Sequence, residues 1–338
     1  MDTKSMQLSA RLITACSVAA GMALVAASLL MAPTVSAAVP GEAIVAYQRY
    51  AGKYAVMSPD GRNFTFVTCG GDMTHTGSPR HFTRLAVGTN PLPSWYFGSG
   101  GPYYNSELVA SDEDCVQTAA LTSEGNKQFG MARWSPDGSM IAAYAVAFDL
   151  QSGALLNRGI FIADVLYDGN RPVGAVNLRH VISTGGDRNF AWSPDSRRIV
   201  FVEAGVNGAD LFMYQLDGGA TTNITNTPGI AEDQPAYSVN ERIAYTRQSS
   251  DPRGSYRYDI FSIPATGGAE TQITSKSTTG SFVNMLPGYS PDGQQISFSS
   301  GLLQGDRALY RIRADGSGKA VKIVGSKGQD WRVSYWRQ

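Results

Sequence analysis

The stretch Trp134-Ser135-Pro136-Asp137-Gly138, followed by the apolar run of residues 140–146, decides the fold because it returns along the 338-residue chain. Related copies stand at residues 192–196 (WSPDS), 237–241 (YSVNE) and 289–293 (YSPDG), each before another β-branched run. The aromatic residues that open the copies are 58, 45 and 52 residues apart, by subtraction of their numbers. Self-similarity at such a period indicates a repeat architecture.

The repeated phrase has the residue types of a tight turn between two strands. Proline sets φ near about −65°, aspartate can hydrogen-bond the backbone two residues on, and glycine adopts positive φ without steric cost. The leading aromatic can pack between neighbouring units, where a large ring buries much area. We therefore interpret four carboxylates as turn residues and not as catalytic groups: Asp60, Asp137, Asp195 and Asp292.

Four strand-like runs, rich in β-branched and aromatic residues, make up each clear repeat. They are residues 129–134, 140–148, 159–165 and 176–182; 189–192, 198–203, 210–216 and 220–225; 234–237, 242–247, 259–264 and 270–274; and 286–289, 295–300, 308–313 and 319–324. We predict four-stranded antiparallel blades. A weaker blade is inferred from residues 92–97, 107–110 and 115–122, after a long polar connection over residues 69–90.

The two ends of the domain complete each other. Residues 42–48, 53–58 and 63–68 predict three strands without a first one, whereas residues 331–336 predict a first strand with nothing after it. Pairing them in one sheet would close a ring and remove open sheet edges. The predicted fold is an all-β, six-bladed β-propeller of four-stranded antiparallel blades, closed by the C-terminal strand.

The N-terminal sequence and the charge composition limit the cellular location and the partners that the protein can have. Lys4 and Arg11 form a basic start, residues 12–32 carry no charge, and Val35-Ser36-Ala37 is a small-x-small cleavage site. This pattern predicts a signal peptide over residues 1–37, a domain over 38–338 and a periplasmic or secreted location without stable membrane insertion. An uncleaved membrane anchor is the alternative, because the uncharged run is long enough to span a bilayer. The 28 basic residues balance 28 acidic ones, so we expect no nucleic-acid partner.

Two cysteines remain after the expected cleavage, Cys69 and Cys115. In an exported protein such a pair can form a disulfide. Two buried free thiols are the alternative.

The repeat resembles the TolB-type, WD40-like β-propeller family. Residues 210–219 (DLFMYQLDGG) and 223–225 (NIT) form a phrase that recurs at residues 259–261 (DIF), 267–268 (GG) and 272–274 (QIT). The resemblance covers the chain from residue 42 to its end. It implies a six-bladed propeller and, for TolB itself, a periplasmic role in the Tol–Pal envelope system with an α/β domain before the propeller. The segment between the expected signal peptide and the first strand leaves no room for that domain.

Function is expected where the long connections gather, at the end of the blades opposite the tight turns. These connections are residues 70–90, 149–158, 185–188, 228–233, 248–258 and 275–284. Arginine and tyrosine are frequent at the centres of binding interfaces. The predicted binding residues on this face are Arg80, His81, Asp187, Arg188, Glu232, Asp233, Arg253, Tyr256, Arg257 and Tyr258.

Groups able to support catalysis are sparse. No G-x-S-x-G elbow, P-loop or dinucleotide fingerprint occurs in the sequence, and we expect no cofactor. Asp72, His75 and His81 are spaced so that a metal site is conceivable. Some TolB-type propellers are metal-dependent lyases of pectic oligosaccharides, so an oligogalacturonate-lyase-like enzyme is the alternative. The main prediction is a non-enzymatic scaffold that binds a protein or another ligand in the cell envelope, with an envelope or extracellular protein as the expected partner.

Overall fold

The computed structural model describes residues 43–48, 53–60, 64–67, 72–74, 82–92, 103–111, 117–122, 126–169, 171–185, 189–205, 208–250, 254–302, 306–325 and 331–337. The surroundings of side chains are described for residues 58–60, 108, 110, 120–122 and those of the described ranges between 126 and 325. All of these residues belong to one compact unit, Ala38–Gln338.

The described part of the chain is built almost entirely from strands. Its strands are β1 (Ala43–Gln48), β2 (Lys53–Met57), β3 (Phe64–Val67), β4 (Asp72–Thr74), β5 (Phe82–Leu92), β6 (Tyr103–Ser111), β7 (Gln117–Ala120), β8 (Lys127–Trp134), β9 (Met140–Phe148), β10 (Leu155–Asp168), β11 (Arg171–Ser183), β12 (Phe190–Trp192), β13 (Arg198–Gly205), β14 (Gly208–Gln215), β15 (Thr221–Asn223), β16 (Ala231–Tyr237), β17 (Arg242–Ser250), β18 (Tyr256–Pro264), β19 (Thr271–Gln272), β20 (Asn284–Tyr289), β21 (Gln295–Gly301), β22 (Arg307–Arg313), β23 (Val321–Val324) and β24 (Trp331–Arg337). A single turn of helix, α1 (Lys276–Thr279), precedes β20.

Consecutive strands pair as antiparallel hairpins and form four-stranded sheets. Three of these sheets have the orders β4-β5-β6-β7, β11-β10-β9-β8 and β20-β21-β22-β23. A fourth has the order β24-β1-β2-β3 and therefore draws its strands from both ends of the domain. In it Ile44 lies opposite Trp336 and Gln48 lies opposite Trp331.

An eight-stranded sheet contains two further units, β12 to β15 and β16 to β19. They are joined by a single parallel pair, Ala209 with Ala231, where the Ala209 N–H donates to the carbonyl of Ile230 at 3.0 Å. A similar parallel contact is the isolated bridge between Tyr258 of β18 and Val283, just before β20. The mixed sheet is thus two antiparallel four-stranded units whose neighbouring edges touch at one point.

The four clear repeats contain the predicted strands, but several strands begin or end at residues other than the predicted ones. The outer hairpin β10–β11 is longer than its predicted strands, because antiparallel pairing continues through polar residues to Asp168 and Arg171. By contrast, β19 is shorter than predicted and holds two residues, Thr271 and Gln272. Both β16 and β18 begin three residues before their predicted starts.

The expectation of a polar connection over residues 69–90 was wrong, because the chain forms β4 and the long β5 there. The strand predicted over residues 92–97 lies outside the described residues apart from Leu92, the last residue of β5. A register shift between Val87 and Pro91 interrupts the pairing of β5 with β6. Pro91 cannot donate to the ladder and such positions fall at bulges, which is why alternation did not indicate a strand here.

The core lies between neighbouring sheets, and the aromatic residues of the repeated phrase occupy it. Trp134 is fully buried with Leu108 of the preceding sheet, and Trp192 packs with Ile160 in the same way. Tyr289 packs with side chains of β17 and β18. The predicted packing of the leading aromatic between units is confirmed at these three repeats.

The first strands of the sheets form an inner wall. In chain order β4, β8, β12, β16, β20 and β24 each pack against the next. For β8, β12, β16 and β20 the strand starts lie at one end of the sheets and the tight turns that follow them lie at the other. Among the described residues no helix is long and apolar enough to cross a membrane.

Candidate functional site

The repeated phrase forms the predicted turns. Ser193 is fully buried, and its Oγ accepts the Arg198 N–H at 2.8 Å while donating to Asp195. Ser135 and Ser290 make the equivalent contacts, with Oγ–carboxylate distances of 2.6 Å to Asp137 and Asp292. The carboxylates of all three copies are occupied by the turn, which supports the interpretation that they are structural.

These hydrogen bonds lower the pKa of the turn carboxylates. At Asp195 burial opposes ionisation, but the bonds from the Ser193 hydroxyl and the Arg197 N–H, together with the charge of Arg198, outweigh it. At the exposed Asp292 the bond from Ser290 is the largest cause. A carboxylate held in its charged form by its own turn is a poor proton donor at neutral pH.

The turns of adjacent repeats also contact each other. The Asp137 N–H donates to Ser196 Oγ at 3.1 Å, and Asn240 Nδ2 donates to the Asp292 carbonyl at 3.3 Å. Arg198 forms an ion pair with Glu241 at 2.9 Å. The four turns therefore form one row at one end of the sheets. The strand starts at the opposite end are the candidate functional face.

Part of the predicted site falls outside the described residues. Arg80, His81, Asp187, Arg188 and Arg253 lie there, as do Cys69, Cys115 and His75. Asp72 begins β4, but its side chain is not described. Within the chain whose side chains are described, no group of three or more His, Cys, Asp or Glu is arranged to hold a metal ion.

The other five predicted residues lie at the starts of strands and not in loops. Glu232 and Asp233 are in β16, whereas Tyr256, Arg257 and Tyr258 begin β18. The loop assignment was wrong because backbone pairing extends to these residues, with Glu232 opposite Arg247 and Ser250 opposite Tyr256.

Glu232 is the anchor of a buried ion network. Its carboxylate has no exposed surface and accepts Arg247 Nη2 at 2.8 Å and Thr227 Oγ1 at 2.9 Å. Arg247 also pairs with Glu270, which accepts the hydroxyl of Tyr245. The network lies on the β16–β17 hairpin, and Thr227 links it to the preceding unit, because its N–H donates to Asp210 of β14 at 2.9 Å. It is not available to a partner at the surface.

Neighbouring protein groups interact with the charges of this network and shift their pKa values. Arg247 Cζ lies 4.3 Å from the centre of the Phe261 ring, a cation–π distance. Burial raises the pKa of Glu232, against the lowering by the bonds from Thr225 and Arg247. Burial and the bond to Glu270 raise the pKa of Tyr245.

Asp233 belongs to a different structure, a chain of contacts along the inner wall. Its Oδ1 accepts Asn189 Nδ2 at 2.8 Å from the preceding unit. The next residue, Gln234, accepts the Leu286 N–H of the following unit at 2.9 Å through Oε1. Asn189, Gln234 and Leu286 each stand three residues before the aromatic of their repeat.

Two residues of this chain have left-handed backbones although neither is glycine. Gln234 has φ 57° and Leu286 has φ 58°, and each lies at a register shift between the first two strands of its unit. Such a backbone costs a bulky residue about 1–2 kcal/mol. The bonds of Gln234 Oε1 to Thr246 Oγ1 (2.8 Å) and to the Leu286 N–H hold both bulges in place.

An exposed group of aromatic and cationic side chains lies on the candidate face. We name it the Phe282 cluster, and its members are Tyr256, Arg257, Lys276 and Phe282. Arg257 Cζ lies 4.6 Å and Lys276 Nζ 4.4 Å from the centre of the Phe282 ring. Phe282 keeps 38% and Tyr256 59% of its surface exposed.

The backbone holds the cluster in place. The Tyr258 N–H donates to the Phe282 carbonyl at 2.8 Å, which ties β18 to the segment before β20. Ser275 caps α1 in a capping box and Gly280 ends it with φ 76°, so Lys276 projects from an ordered turn. Lys276 and Phe282 were missed as individual residues, although residues 275–284 were predicted as part of the functional face.

Comparison with known proteins identifies the fold. No family model matches the chain. A curated relative, Uncharacterized protein Atu1656 of Agrobacterium fabrum, is 26% identical over 178 residues that cover 41% of this chain and 59% of that protein. The chain thus spans less than two thirds of the length of this relative.

Solved propeller structures cover most of the chain. TolB from Acinetobacter baumannii matches with a TM-score of 0.57 and 14% identity, over 87% of this chain and 66% of that one. A TolB candidate from Agrobacterium tumefaciens matches with a TM-score of 0.55 and 15% identity, over 86% and 98%. A chain of a nidogen/laminin complex matches with a TM-score of 0.55 and 10% identity, over 88% and 98%. The chain therefore has a TolB-like β-propeller fold.

Proposed function

We propose that this protein is an exported six-bladed propeller, closed by the pairing of β24 with β1, that binds a protein of the cell envelope through the Phe282 cluster. The pairing of strands from the two ends of the domain supports the closure. The six inner strands that pack in sequence support the number of blades. The basic and uncharged segments before Val35-Ser36-Ala37 support export.

The exposed Phe282 cluster is the observation that carries the binding function. Aromatic and arginine side chains are enriched at the centres of protein interfaces, since they bury large areas while retaining a polar or charged end. Here an arginine and a lysine share one half-exposed ring beside a well-exposed tyrosine. Two cations on an aromatic surface fit a partner segment that combines carboxylates with apolar side chains.

The opposite end of the sheets offers a less suitable surface. A hollow of about 810 Å³ lies beside the turn of the last hairpin and is lined by residues such as Gln294, Arg313, Asp315 and Lys319. Its lining mixes these polar side chains with Ile312, Ala314 and Val321 and includes no aromatic ring. The proposal therefore assigns binding to the strand-start end, where the cluster also has ordered backbone support.

Site-specific photo-crosslinking in the native envelope tests the proposal. A photoreactive residue at Tyr256 should give a discrete crosslinked protein, whereas the same residue at Val239 should not. Val239 is the matched control because it is 51% exposed in a turn of the opposite end. Phe282→Ala should abolish the crosslink at position 256. Crosslinks of equal yield at both positions, or none at Tyr256, would refute the assignment.

Two measurements test the remaining parts of the proposal. Mass spectrometry of the protein from the envelope should find an N-terminus at Ala38, and an intact Met1 would favour the membrane anchor. Elemental analysis of purified protein addresses the choice of scaffold over enzyme. A metal that is lost on His75→Ala or His81→Ala would overturn it in favour of a metal-dependent carbohydrate-active enzyme.

A further inference from the structure

Arg133 is a half-buried arginine that has no carboxylate partner among the residues that the structure describes. It lies in β8, the first strand of its sheet, one residue before the aromatic Trp134. Its Nε is buried without a hydrogen-bond partner, and its Nη2 contacts Met131 Sδ at 3.6 Å. A thioether sulfur is a weak acceptor and carries no charge. No ion pair of Arg133 occurs in the part of the chain that the structure describes.

Three other arginines of the described strands have carboxylate partners. Arg198 pairs with Glu241 and Arg247 pairs with Glu232, each within 3 Å. Arg179 pairs with Asp164 at the surface. At Arg133, burial alone lowers the pKa of the guanidinium to about 10, with no carboxylate acting in the opposite direction. The side chain is still charged at neutral pH.

The fold itself does not require an arginine at this position. The residues that precede the aromatic in the next three repeats are Ala191, Ala236 and Gly288. The backbone at position 133 has a structural role, since Trp192 Nε1 donates to its carbonyl at 3.1 Å. That contact uses no atom of the arginine side chain. A long cation thus replaces small side chains at one place on the inner wall.

Arg133 is also accessible. Part of its surface remains exposed although Nε is covered. β8 is the first strand of its sheet and packs against β12, so position 133 belongs to the inner wall. Buried unpaired charge is strongly unfavourable, so a group retained in this state at an accessible position is a candidate ligand contact.

We propose that Arg133 anchors an anion site on the inner wall and that the site takes a carboxylate. The guanidinium presents a planar fork that matches two carboxylate oxygens, and its contact with the uncharged Met131 thioether brings no competing negative charge. A single arginine neutralises one negative charge, which favours a carboxylate over a dianionic phosphate. The carboxylate can come from a small molecule or from an acidic side chain of a protein segment.

Binding is tested by following the Arg133 Nε–Hε signal in nitrogen–proton NMR spectra of the full domain. Acetate and N-acetyl-aspartate N-methylamide are the two probes, and phosphate is the comparison. We expect either carboxylate to shift this signal and the neighbouring Trp192 Nε1–Hε1 signal in a saturable way, and phosphate to bind at least 10-fold more weakly. Arg133→Met lacks the arginine signal, and its Trp192 signal should not respond to either carboxylate. A preference of 10-fold or more for the aspartate derivative would indicate a protein segment as the source. Arg179→Met is the matched control and should leave the shift unchanged.

Stability provides an independent readout. Arg133→Met keeps a long side chain and removes the uncompensated charge. The melting temperature of the ligand-free variant should therefore equal or exceed that of the wild type. If Arg133 stabilised the fold, Arg133→Met would instead have a lower melting temperature than the wild type. If Arg133→Met does not fold, Arg133→Lys keeps the charge without the fork and should weaken acetate binding, followed by the Trp192 Nε1–Hε1 signal, about 10-fold. A lower melting temperature of the Met variant, or no saturable shift in the wild type, would overturn the proposal.

Discussion

Ser193 shows at the scale of one residue why the repeated phrase is structural. Its hydroxyl accepts the Arg198 N–H, donates to the Asp195 carboxylate and lies 3.1 Å from the Arg198 carbonyl oxygen. One buried hydroxyl thus satisfies the backbone of the residue that begins the next strand. The proline and aspartate of the phrase position this hydroxyl, and the fifth residue adopts positive φ to close the turn: Gly138 (75°), Ser196 (58°), Glu241 (52°) and Gly293 (69°).

The glycine of the last copy is predicted to be sensitive to any side chain. A Cβ at Gly293 would lie 2.5 Å from Asn240 Nδ2 and 2.6 Å from Ser238 Oγ. We expect Gly293→Ala to lower the free energy of unfolding by about 2–3 kcal/mol, measured by urea denaturation, from strain plus the displaced contacts. Gly218→Ala is the matched control, with φ 78° and open space around its Cβ. Equal losses in the two variants would contradict the role of the turn-to-turn contact.

The turn carboxylates predict a loss of stability in acid. The folded-state pKa of Asp195 is below its ordinary value of 3.8, so the unfolded chain takes up the proton first. The stability that Asp195 contributes is therefore complete above that value and disappears as the pH falls through the folded-state pKa. Unfolding of wild type and Asp195→Asn should differ at pH 7 and converge toward pH 2. Parallel stability curves across this range would contradict the prediction.

At the scale of elements, the buried ion network joins β16 and β17 to the preceding sheet. Glu232 has no exposed surface, so removal of Arg247 would leave its charge without its main partner. We expect Arg247→Ala to lower the free energy of unfolding by about 3–5 kcal/mol at pH 7. The loss should be smaller near pH 5, because burial already raises the pKa of Glu232 and the unpaired carboxyl will protonate.

An exposed ion pair of the same protein provides the control. Arg179 and Asp164 lie 3.0 Å apart with side chains 44% and 39% exposed. Arg179→Ala should change the free energy of unfolding by less than about 1 kcal/mol. A similar loss for both variants in guanidinium denaturation would show that burial does not distinguish the two pairs.

At the scale of the whole molecule, the sheet of β24 and β1 to β3 joins the two ends of the domain. Removal of residues 326–338 would leave the edge of β1 unpaired over the length that β24 now covers. We expect the truncated protein to melt at a temperature lower by at least 5 °C, with increased aggregation in light scattering. Removal of Gln338 alone should have no such effect. An unchanged melting temperature of the long truncation would show that the pairing of β24 with β1 is dispensable.

The repeat, the strand order and the role of its turns could be predicted from the sequence because they depend on local chemistry. A proline-aspartate-glycine turn, a leading aromatic and a β-branched run specify a hairpin within a few residues of chain. Strands β9, β13 and β21 begin at the predicted residues, Met140, Arg198 and Gln295. Prediction was wrong at β5, where Pro91 and a register shift interrupt the alternation.

The tertiary structure alone decided which of the candidate residues can meet a partner. Glu232 and Asp233 are adjacent in sequence and equally acidic, yet one lies buried between two sheets and the other bonds along the inner wall. Successive side chains of a strand point to opposite faces, and register shifts change which face each one meets. The Phe282 cluster joins residues from β18, α1 and the segment before β20, and the unpaired charge of Arg133 became evident only from its burial. Local sequence therefore determined the blades, whereas the packing of one blade on the next determined the surface.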